Sequence, residues 1–492
     1  MSTSKTRISV LRVAVLLLAV VAAGLGLRWF LSDGLQTPEI PETPTFAGYV
    51  DVTATPAYAF ETPADAPQSH VILAFIVAAT DDPCTPTWGT YYTLETANSE
   101  LNLDRRIAQL RDIGGTASVS FGGLLNSELA VSCTDPAALA RAYQSVIERY
   151  SLNRIDLDIE GPALSDIPSQ QRRAKAIAQV QKDSGGTLQV WVTLPIDTNG
   201  LTAEGVAAVR ELIDGGVILT GVNGMAMNFG GSKAASQAMS SAVDTGATAL
   251  QGQVAAMLPE SGWQQVGVTV MIGQNDVPGE VFTMDDAQVV NEFAVSKGVG
   301  LLSTWSLNRD QTCQPPLPKT VDVVQTNCSG INQDGLSFAL TLAAGATTSA
   351  PSPTASQVAP TPEQAIVDDP ATSPFPIWDP QGTYPADARV VWKRKVYQAK
   401  YWTSGVAPGG VPAGGEDPWS LIGPVMPGDT PAPLPTLPAG TYPAWKPGTV
   451  YTKGQRVQLD KVPYEAKWWT KGQRPGEAVA GGSPWTLITP VQ

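Results

Sequence analysis

Short apolar runs alternate with amphipathic stretches from Phe46 to about residue 343. Segments with helical periodicity lie between several of the runs, at 104–113, 136–150, 169–182 and 203–212. Eight runs have the length and composition of buried strands: 47–52, 71–77, 117–121, 155–159, 188–194, 221–227, 266–272 and 301–305. This alternation predicts an α/β fold with a parallel sheet, and eight repeats favour a closed (β/α)8 TIM barrel.

An open, doubly wound sheet is the alternative that the same alternation allows. No G-x-G-x-x-G motif opens the first helix, which counts against a dinucleotide-binding sheet. We therefore expect the closed barrel.

Composition divides the rest of the chain into spacers and small units. Residues 344–374 are rich in Ala, Pro, Ser and Thr and hold few large apolar residues, so they cannot bury a core. The predicted order is an export segment at 1–31, a spacer at 32–44, the barrel at 45–343, a linker at 344–374, a first module at 375–425, a Pro-rich linker at 426–440 and a second module at 441–492.

An internal repeat relates the two predicted modules. Residues recur at a constant offset of 67, and Pro418-Trp419 matches Pro484-Trp485 after a slip of one residue. Two homologous units of about 50 residues therefore stand in tandem, each without cysteine and too small for a large core. The recurring residues are Trp378, Tyr384, Val390, Tyr397, Ala399, Lys400, Trp402, Thr403 and Gly405, with partners Trp445, Tyr451, Val457, Tyr464, Ala466, Lys467, Trp469, Thr470 and Gly472.

The N-terminus has the pattern of an export signal. Lys5, Arg7 and Arg12 precede an uncharged run at 13–27, and Arg28 follows it. The run is short for a spanning helix, which needs about 17–25 residues. No clear cleavage site stands out, so a cleaved signal peptide and an uncleaved anchor both remain open. In either case the positive flank places the following residues outside.

The composition favours a neutral ligand. Charged residues make up 15% of the chain, the net charge is −14, and there are 13 Trp and 12 Tyr. An acidic chain repels phosphate backbones, so we expect no nucleic-acid partner. The one histidine, His70, is expected in the core or at a strand edge. A Ser-His-Asp hydrolase would depend on that residue alone and is disfavoured.

The four cysteines are Cys84, Cys133, Cys313 and Cys328, and their spacing does not resemble a zinc site. An even count in an exported chain predicts two disulfides. We expect the sequential pairing Cys84–Cys133 and Cys313–Cys328, although the sequence alone allows three connectivities.

The strongest chemical signal is I-D-L-D-I-E at 155–160, in the fourth predicted strand. Because side chains alternate across a strand, Asp156, Asp158 and Glu160 share one face. In a barrel these acids point inward, and their repulsion should keep at least one protonated near neutral pH. Glu160 stands at the C-terminal end of the strand, where barrel active sites lie, and is the candidate general acid. A solvated acidic face on an edge strand is the alternative.

These residues resemble the motifs of glycoside hydrolase family 18. Residues 153–160 resemble D-x-x-D-x-D-x-E on strand four, and residues 120–123 resemble S-x-G-G on strand three. Residues 225–228 stand where the family has M-x-Y-D on strand six. Residues 271–276 resemble the strand-seven segment of a bacterial chitinase-like branch, and Trp305 resembles the strand-eight Trp that floors the −1 sugar subsite.

The resemblance implies a role for each residue. Glu160 would protonate the glycosidic oxygen, and the substrate's own 2-acetamido oxygen would be the nucleophile, with retention of configuration. Asp158 would orient the acetamido group, and Asp156 would hold Asp158. Trp305 would supply an apolar floor that excludes water. No metal or cofactor is expected. The further substrate-binding candidates are Met227, Asn228, Phe229, Gln274 and Asn275.

Three residues depart from the family pattern. Asn153 replaces the first Asp of the strand-four motif, Met227 replaces a Tyr that would hydrogen-bond the acetamido carbonyl, and Asn228 replaces an Asp near the acid. Losing a carboxylate weakens like-charge repulsion, so we expect Glu160 to titrate lower. Phe229 is expected to fill part of the aromatic role. The departures leave open a substrate-binding protein without turnover.

The C-terminal repeats resemble carbohydrate-binding modules of families 5 and 12, which are small and all-β. Residues 397–403 and 464–470 resemble the A-K-W-W-T signature. Aromatic rings stack on the apolar faces of sugar rings, which suits a crystalline, uncharged polymer. We expect core roles for Trp378, Trp419, Trp445 and Trp485, and surface roles for Tyr401, Trp402, Trp468 and Trp469.

The sequence thus predicts a chitinase-like glycoside hydrolase acting on β-1,4-linked N-acetylglucosamine polymers, brought to insoluble chitin by two modules. A non-catalytic chitin- or peptidoglycan-binding surface protein is one alternative, and an endo-N-acetylglucosaminidase acting on glycoproteins is another. Two modules of chitin-binding type favour chitin over glycoprotein glycans. We expect an extracellular monomer, either secreted or held at the membrane only by its N-terminal segment.

Overall fold

Each of the eight predicted runs forms a strand in the computed structural model, and the strands close into a barrel. Neighbouring strands pair in parallel around the ring, and the last strand pairs with the first. The predicted (β/α)8 barrel is therefore confirmed, and the open sheet is wrong. The strands are β1 (Thr45–Asp51), β2 (His70–Ala78), β3 (Thr116–Gly122), β4 (Arg154–Asp158), β5 (Gln189–Asp197), β6 (Gly221–Met225), β7 (Val266–Met271) and β8 (Leu301–Trp305).

The structure describes residues 45–259, 261–317, 319, 321, 323–346, 368–370, 372–412, 415–431, 434–476 and 483–488. The chain divides into two compact units, Met1–Pro353 and Thr354–Gln492. The predictions for 1–31 and 32–44, and most of the linker at 344–374, lie outside the described residues. Within the described part, every helix is too short or too polar to cross a bilayer.

Helices connect the strands, and each of the four predicted helical segments is helical. The helices are α1 (Leu94–Leu101), α2 (Leu103–Asp112), α3 (Leu129–Ser132), α4 (Pro136–Arg149), α5 (Ile167–Asp183), α6 (Ala203–Asp214), α7 (Met239–Met257), α8 (Met284–Lys297) and α9 (Phe338–Leu342). Local signals set their ends. Asp135 accepts two backbone N–H bonds at the start of α4, and Thr283 forms a capping box with Asp286 at the start of α8. Gly298, in the left-handed conformation, ends α8.

Short elements lie in the loops of the barrel. Brief 3-10 turns occur at Ala66–Ser69, Gly161–Leu164, Gly230–Ser232, Trp263–Gln265 and Leu307–Arg309. Short strands occur at Pro86–Trp88, Tyr92–Thr93, Gly200–Leu201, Gly273–Gln274 and Val281–Phe282. The turn at Gly161–Leu164 follows β4, the turn at Leu307–Arg309 follows β8, and the strand at Gly273–Gln274 follows β7. All three lie at the end of the barrel that carries the acids.

The hydrophobic core of the barrel has two parts. The larger part includes Ile155, Leu157 and Ile159, the apolar residues that alternate with the three acids. Its position fixes the acid-bearing face of β4 toward the barrel interior, as the alternation predicts. The smaller cluster is formed by Ala47, Tyr49, Ile72, Ala74, Trp191 and Leu301, with Phe75 and Trp305 packed against it.

The cysteines and the histidine lie where the sequence predicts them. Cys84 is bonded to Cys133 and Cys313 to Cys328, and no described cysteine is free. The first disulfide ties the loop after β2 to the end of α3, and the second closes a loop after β8. His70 is the buried first residue of β2, where its Nδ1 lies 2.9 Å from a threonine hydroxyl of β3.

The C-terminal unit contains the predicted repeat as two all-β folds with the same strand order. In each, a two-stranded ribbon accompanies a three-stranded antiparallel sheet. Trp419 and Trp485 are buried, and Trp378 and Trp445 pack against the two small cores, as expected. The strands are β9 (Thr383–Tyr384), β10 (Arg389–Trp392), β11 (Lys395–Ala399), β12 (Thr403–Ser404) and β13 (Trp419–Pro424), then β14 (Val450–Tyr451), β15 (Arg456–Leu459), β16 (Val462–Ala466), β17 (Thr470–Lys471) and β18 (Trp485–Leu487).

Residues from the ends of the predicted linkers pair with the modules. The Asp368 carboxylate accepts hydrogen bonds from the backbone N–H groups of Lys393 at 2.9 Å and Arg394 at 2.6 Å. The Leu437 N–H donates to the Lys461 carbonyl at 2.9 Å. The ordered part of each module therefore begins a few residues before the position that composition indicates.

An ion pair joins the two modules. Lys467 Nζ lies 2.9 Å from Asp379 Oδ2, and both side chains are partly exposed. The Lys467 ammonium also lies 5.3 Å from the centroid of the Trp468 ring. At the repeat offset, the partner of Asp379 is Lys446, so the second module lacks the acid that the first supplies. The contact therefore gives the two related modules different roles at their junction.

Candidate active site

The three acids of the β4 motif lie at the C-terminal end of the barrel. Asp156 and Asp158 are buried in the strand, and Glu160 follows two residues beyond its last residue, half-buried. Barrel enzymes form their active sites at this end, from the ends of strands and the loops that follow. The sequence prediction therefore placed the acids on the correct face and at the correct end.

Three hydroxyl groups from neighbouring strands hold Asp156. Its carboxylate accepts hydrogen bonds from Tyr49 at 2.9 Å, Ser120 at 2.7 Å and Thr193 at 2.5 Å. Burial raises the pKa of Asp156, while these hydrogen bonds lower it. Because three donors satisfy the ionised form, Asp156 is the acid of the row best suited to carry the negative charge.

Asp158 has the opposite surroundings. Burial, then the charges of Glu160 and Asp156, raise the pKa of Asp158 well above its usual range. Its Oδ1 atom is buried and has no hydrogen-bond partner among the described groups. A carboxyl group in such a position keeps its proton near neutral pH. Asp158 is therefore the acid of the row that is most strongly held neutral.

Glu160 completes the row at its solvent-facing end. Burial raises the pKa of Glu160, hydrogen bonds from Asp158 and from the Leu124 N–H lower it, and the charge of Asp276 raises it again. The resemblance implies that Asp156 holds Asp158, but Asp158 pairs with Glu160, and the hydrogen bonds of Asp156 within the described chain go to hydroxyl groups. Asp158 and Glu160, the two acids nearer the solvent, thus form a pair whose protonation is linked.

Two glycines at the end of β3, Gly122 and Gly123, make room for the acids. A Cβ atom on Gly122, whose φ is +110°, would lie 2.0 Å from the Asp158 carbonyl oxygen, so a side chain there would force the strands apart. The Gly123 N–H donates to the same carbonyl at 3.1 Å. The next residue, Leu124, supplies the N–H that reaches the Glu160 carboxyl. The S-x-G-G segment therefore positions the acid row directly.

Aromatic rings form an apolar surface beside the acids. Trp305, the last residue of β8, stacks on Phe75 with a centroid distance of 5.5 Å, and both pack against Tyr49. Trp305 and Phe75 are half-buried, so part of each ring remains open to a ligand. Trp305 thus lies where the sequence predicts a floor, and Phe75 extends that floor.

The segment after β6 differs from its predicted role. Met227 and Asn228 are half-buried near the site, but Phe229 is only 5% exposed and lies in the large hydrophobic core. Its N–H donates to the Glu280 carboxylate at 2.9 Å, which helps to fix the loop. The contact of the Phe229 ring with a substrate stays a prediction, which the burial of the ring in the core does not favour.

Gln274 and Asn275 also hold the loops together through intramolecular hydrogen bonds. The Gln274 side chain accepts from the Val321 N–H at 3.0 Å and also donates to the Val321 carbonyl. Asn275 is 1% exposed, and its amide donates to the carbonyls of Met271 and Gly273. Since both amides are used inside the protein, the expectation of substrate contacts by these two residues is not supported by their positions.

Sequence reasoning missed several residues of the site. Tyr49 and Thr193 bind Asp156 but belong to strands that carry no motif, and Phe75 lies within an apolar run. The inward alternation of β1 and β5 is the signal that could have found the two hydroxyls. No group of three or more His, Cys, Asp or Glu side chains in the described ranges is arranged to hold a metal ion.

The predicted surface aromatics of the modules are largely exposed. Tyr401 is 47% exposed, Trp402 is 64% exposed, and Trp469 is 62% exposed. Trp468 is half-buried, with Lys467 over its ring. Each module therefore presents at least one large aromatic ring to solvent, where it could stack on a sugar ring.

The fold and the acid row define a (β/α)8 barrel with an acid-lined site at its C-terminal end, followed by small all-β units. Residues 444–486 match the model of carbohydrate-binding module family 5/12. Over 255 residues the chain is 35% identical to a probable bifunctional chitinase/lysozyme of Escherichia coli strain K12, a match that covers 49% of this chain and 28% of that protein.

Two further proteins resemble the barrel. Endochitinase 11 of Metarhizium anisopliae is 33% identical over 255 residues, covering 49% of this chain and 48% of that protein. The solved catalytic domain of a hyperthermophilic chitinase from Pyrococcus furiosus superposes with a TM-score of 0.52 at 26% identity, covering 62% of this chain and 94% of that domain. The chain thus spans less than half the length of the two curated relatives.

Proposed function

We propose that this protein is a chitinase-like glycoside hydrolase that cleaves β-1,4-linked N-acetylglucosamine polymers. The observation that carries the proposal is the acid row, in which burial raises the pKa of all three acids, but three hydroxyl donors stabilise the anion of Asp156 while the charges of Glu160 and Asp156 raise the pKa of Asp158 further. Two titratable environments that differ in this way are the mark of an acid–base site. The similarity to proteins named as chitinases supports chitin, a polymer of N-acetylglucosamine, as the substrate.

Glu160 is the general acid in this proposal. Burial raises the pKa of Glu160 and so favours the protonated form, which can protonate the oxygen of the leaving sugar. The N–H of Leu124 and the carboxyl of Asp158 orient it. The nucleophile is the 2-acetamido oxygen of the substrate, and the product retains its configuration.

Asp158 orients the acetamido group. Its buried Oδ1 lacks a donor in the described structure, and an acetamido N–H would supply one. When Asp158 is ionised, its charge stabilises the positive oxazolinium that develops beside it. Asp156 contributes a fixed negative charge behind Asp158, and the rings of Trp305 and Phe75 exclude water from one side of the sugar.

The C-terminal unit directs the enzyme to insoluble chitin. Residues 441–492 contain the matched family segment, and residues 375–425 repeat its strand order and its aromatic positions. We infer that both are chitin-binding modules, with Tyr401, Trp402 and Trp469 as stacking surfaces. The proposed domain boundaries follow the sequence assignment, extended at the start of each module to include Asp368 and Leu437.

A non-catalytic chitin- or peptidoglycan-binding protein is the second candidate. The observation that favours it is the pair of departures at Met227 and Asn228, which remove a hydroxyl and a carboxylate from the position after β6. An endo-N-acetylglucosaminidase is less consistent with two modules of chitin-binding type. For either reading we propose an exported protein, because the chain carries two disulfides and an export-like N-terminus.

Incubation of the purified full chain with N-acetylglucosamine oligomers separates these candidates. The proposal expects shorter oligomers, with the β-anomer of the new reducing end formed first in an NMR time course. The Glu160→Gln variant is the matched control. Binding to chitin without any product from the wild-type chain would reject hydrolysis and favour the non-catalytic candidate.

A further inference from the structure

A hydrogen-bonded network of polar side chains crosses the interior of the barrel beside the acid row. Thr193 on β5 lies at its centre, with its Oγ1 atom 2.5 Å from Asp156 Oδ1, 3.0 Å from Asn223 Nδ2 and 3.1 Å from the Tyr49 hydroxyl. All four residues are at most 3% exposed. Because bulk water does not reach this interior, each donor and acceptor has to be matched by another buried group.

Asn223 on β6 continues the network on the side of Thr193 away from β4. It is the strand partner of Thr193, and its Nδ2 also donates to the Thr269 hydroxyl on β7 at 2.7 Å. That hydroxyl lies 3.0 Å from Asn223 Oδ1. A Cβ atom on Gly267, the strand partner of Asn223 on β7, would lie 2.8 Å from Asn223 Oδ1, so the glycine makes room for the amide. The amide is therefore held with its nitrogen toward Thr193.

The amide nitrogen determines the direction of the hydrogen bond that Thr193 makes. An amide NH2 group can only donate and a carboxylate can only accept, so the Thr193 hydroxyl accepts from Asn223 and gives its single hydrogen to Asp156. The Tyr49 hydroxyl donates to Asp156 Oδ2 at 2.9 Å, and Asn223 Nδ2 lies 3.5 Å from the Tyr49 oxygen. The same amide thus contacts two of the three hydroxyls that stabilise the Asp156 anion.

The network acts on Asp156 through the dipoles of neutral groups. The titratable groups that face Asp156 are Tyr49 on β1 and Asp158 on its own strand. Hydrogen bonds in a chain polarise one another, so a donor to the Thr193 oxygen strengthens the bond from Thr193 to the carboxylate. The members of the network on β3, β5, β6 and β7 are uncharged, namely Ser120, Thr193, Asn223 and Thr269.

We propose that Asn223 is a positioning residue of the acid row, whose amide directs the Thr193 hydroxyl hydrogen onto Asp156 and so keeps that carboxyl group ionised. Asn223 lies two strands from β4 and reaches the acid through Thr193. The inference rests on the proposed function for its kinetic meaning, because the charge of Asp156 then supports the positive charge that develops beside Asp158. The hydrogen bonds themselves concern the protein alone.

Loss of the amide should make Asp156 harder to ionise. Burial raises the pKa of Asp156, and the hydrogen bond from Thr193 is the strongest of the bonds that lower it. Asn223→Leu keeps the size of the side chain and removes its donors, which weakens the Thr193 bond to the carboxylate. The Asp156 carboxyl should therefore titrate at a higher pH in this variant than in the wild type. Thr193→Val removes the bond itself and should shift the titration further in the same direction.

The experiment is a carbon-13 NMR titration of the full chain with labelled aspartate carboxyls, in which the signal lost in Asp156→Asn identifies Asp156. The wild type is compared with Asn223→Leu, with Thr193→Val and with the double variant. Because Asn223 acts through Thr193, the double variant should shift no further than Thr193→Val does. The matched control is Asn291→Leu, which removes another buried amide, on α8, that donates to two backbone carbonyls.

An upward shift in Asn223→Leu that is absent in Asn291→Leu and does not add to that of Thr193→Val supports the proposal. An unchanged Asp156 titration in Asn223→Leu, even with a lower melting temperature, overturns it and leaves Asn223 a purely structural residue. Shifts that add in the double variant overturn the route through Thr193. If Asn223→Leu does not fold, Asn223→Ala removes the same donors and is measured in the same way.

Kinetics test the connection of Asn223 to the reaction. Where the wild type hydrolyses N-acetylglucosamine oligomers, Asn223→Leu should lower kcat and leave KM nearly unchanged, because the charge of Asp156 matters most as positive charge develops in the transition state. An NMR shift with an unchanged kcat would overturn the role of Asn223 in the reaction. Since the NMR titration needs no turnover, it decides the effect of Asn223 on Asp156 even if the wild type shows no hydrolysis and the proposed function is rejected.

Discussion

At the scale of single residues, the site assigns three unlike environments to three similar acids. Asp156 meets three hydroxyl donors, Asp158 meets none at its Oδ1, and Glu160 meets the Asp158 carboxyl, one backbone N–H and the solvent. Since the same carboxyl group is stabilised as an anion by donors and as a neutral acid by burial, the environments assign the roles. The chemical difference between the acids is supplied by neighbours on other strands.

The Glu160→Gln variant should lose hydrolysis and keep its fold. The amide is nearly the same size but cannot give up a proton, so kcat should fall by about 10²–10⁴-fold, the usual contribution of a general acid. Initial rates on N-acetylglucosamine oligomers measure the loss, and binding to insoluble chitin serves as the control for folding. Activity near that of the wild type would contradict the assignment of the acid.

The Asp158→Asn variant should be more stable than the wild type, with a difference that grows with pH. The pKa of Asp158 is higher in the folded protein than in the unfolded chain. The contribution of its protonation to the free energy of unfolding is therefore complete below the unfolded pKa of about 3.9, and it is lost as pH rises through the folded pKa. The amide does not ionise and suffers no such loss. A folded pKa that lies one pH unit above the unfolded pKa corresponds to about 1.4 kcal/mol of stability. Thermal melts of both chains between pH 4 and pH 8 test this, and a constant difference would count against a protonated Asp158.

The residues of the site divide by how visible they are in the sequence. The acids are visible because they break an apolar run at alternate positions, which points them together. Tyr49 and Thr193, the partners of Asp156, cannot be recognised in this way, because a hydroxyl-bearing residue in a strand most often has no role in a site. The bonds of Gln274 to Val321 were invisible for a related reason, since they depend on a loop that no local pattern predicts.

At the scale of elements, one buried carboxylate joins three helices beside the site. Glu128 accepts from the Ala130 N–H at the start of α3, from Tyr143 on α4 at 2.6 Å, and from Arg173 on α5 at 2.9 Å. The ion pair is almost fully buried. Glu128 lies on the loop after β3, next to the glycines that contact the acid row, so this junction also supports the acid-bearing end of the barrel.

The Arg173→Met variant should destabilise the barrel by about 3–5 kcal/mol. It leaves the Glu128 carboxylate buried without its positive partner, and an unpaired buried charge carries that penalty. Denaturant unfolding followed by intrinsic fluorescence gives the free energy. The control is Arg172→Met, one residue earlier on α5, where a half-buried side chain bonds only to the Ala130 carbonyl. An equal decrease in the free energy of unfolding in both variants would mean that the buried ion pair contributes no more to stability than the half-buried Arg172.

The elements themselves were largely visible in the sequence. Strand runs of β-branched and apolar residues alternated with amphipathic helices, and all eight strands follow that pattern. The short strands in the loops and the 3-10 turns were not predicted, because they are held by tertiary contacts such as the Cys313–Cys328 loop and carry no periodicity of their own.

At the scale of the whole molecule, the repeat predicts two sugar-binding platforms. Trp402→Ala with Trp469→Ala in the full chain should abolish retention on insoluble chitin, and each single substitution should weaken it. Two linked sites can exceed single-site affinity by about 10²–10⁴-fold when geometry permits. Sedimentation with chitin measures retention, with Glu160→Gln in the background to prevent hydrolysis.

Salt and a matched control separate stacking from charge attraction in the same assay. Stacking depends little on ionic attraction, so retention should survive about 1 M salt. Leu434→Ala, which removes an exposed apolar side chain outside both modules' strands, should bind as the wild type does. Full retention of the double Trp variant, or release of the wild type by salt, would refute the stacking surfaces.

The domain order followed from composition and the repeat, whereas the contact between modules did not. The offset of 67 residues fixes which positions correspond, and correspondence implies the same strands. A contact across the junction depends on the positions where the copies differ, such as Asp379 and Lys446. A difference between the two copies at one position does not predict a contact until the residue that it meets on the other module is known.

The ion pair between Asp379 and Lys467 gives the two modules a preferred mutual orientation without fixing it. A pair of this kind near the surface contributes less than about 1 kcal/mol, which corresponds to a bias of less than about tenfold between orientations. The distance between the two stacking surfaces is therefore a distribution with one favoured value. Ionic strength weakens the ion pair and leaves stacking unchanged. Added salt should therefore broaden the range of distances between chitin sites that the two modules can bridge, while the affinity of each module for its sugar stays the same.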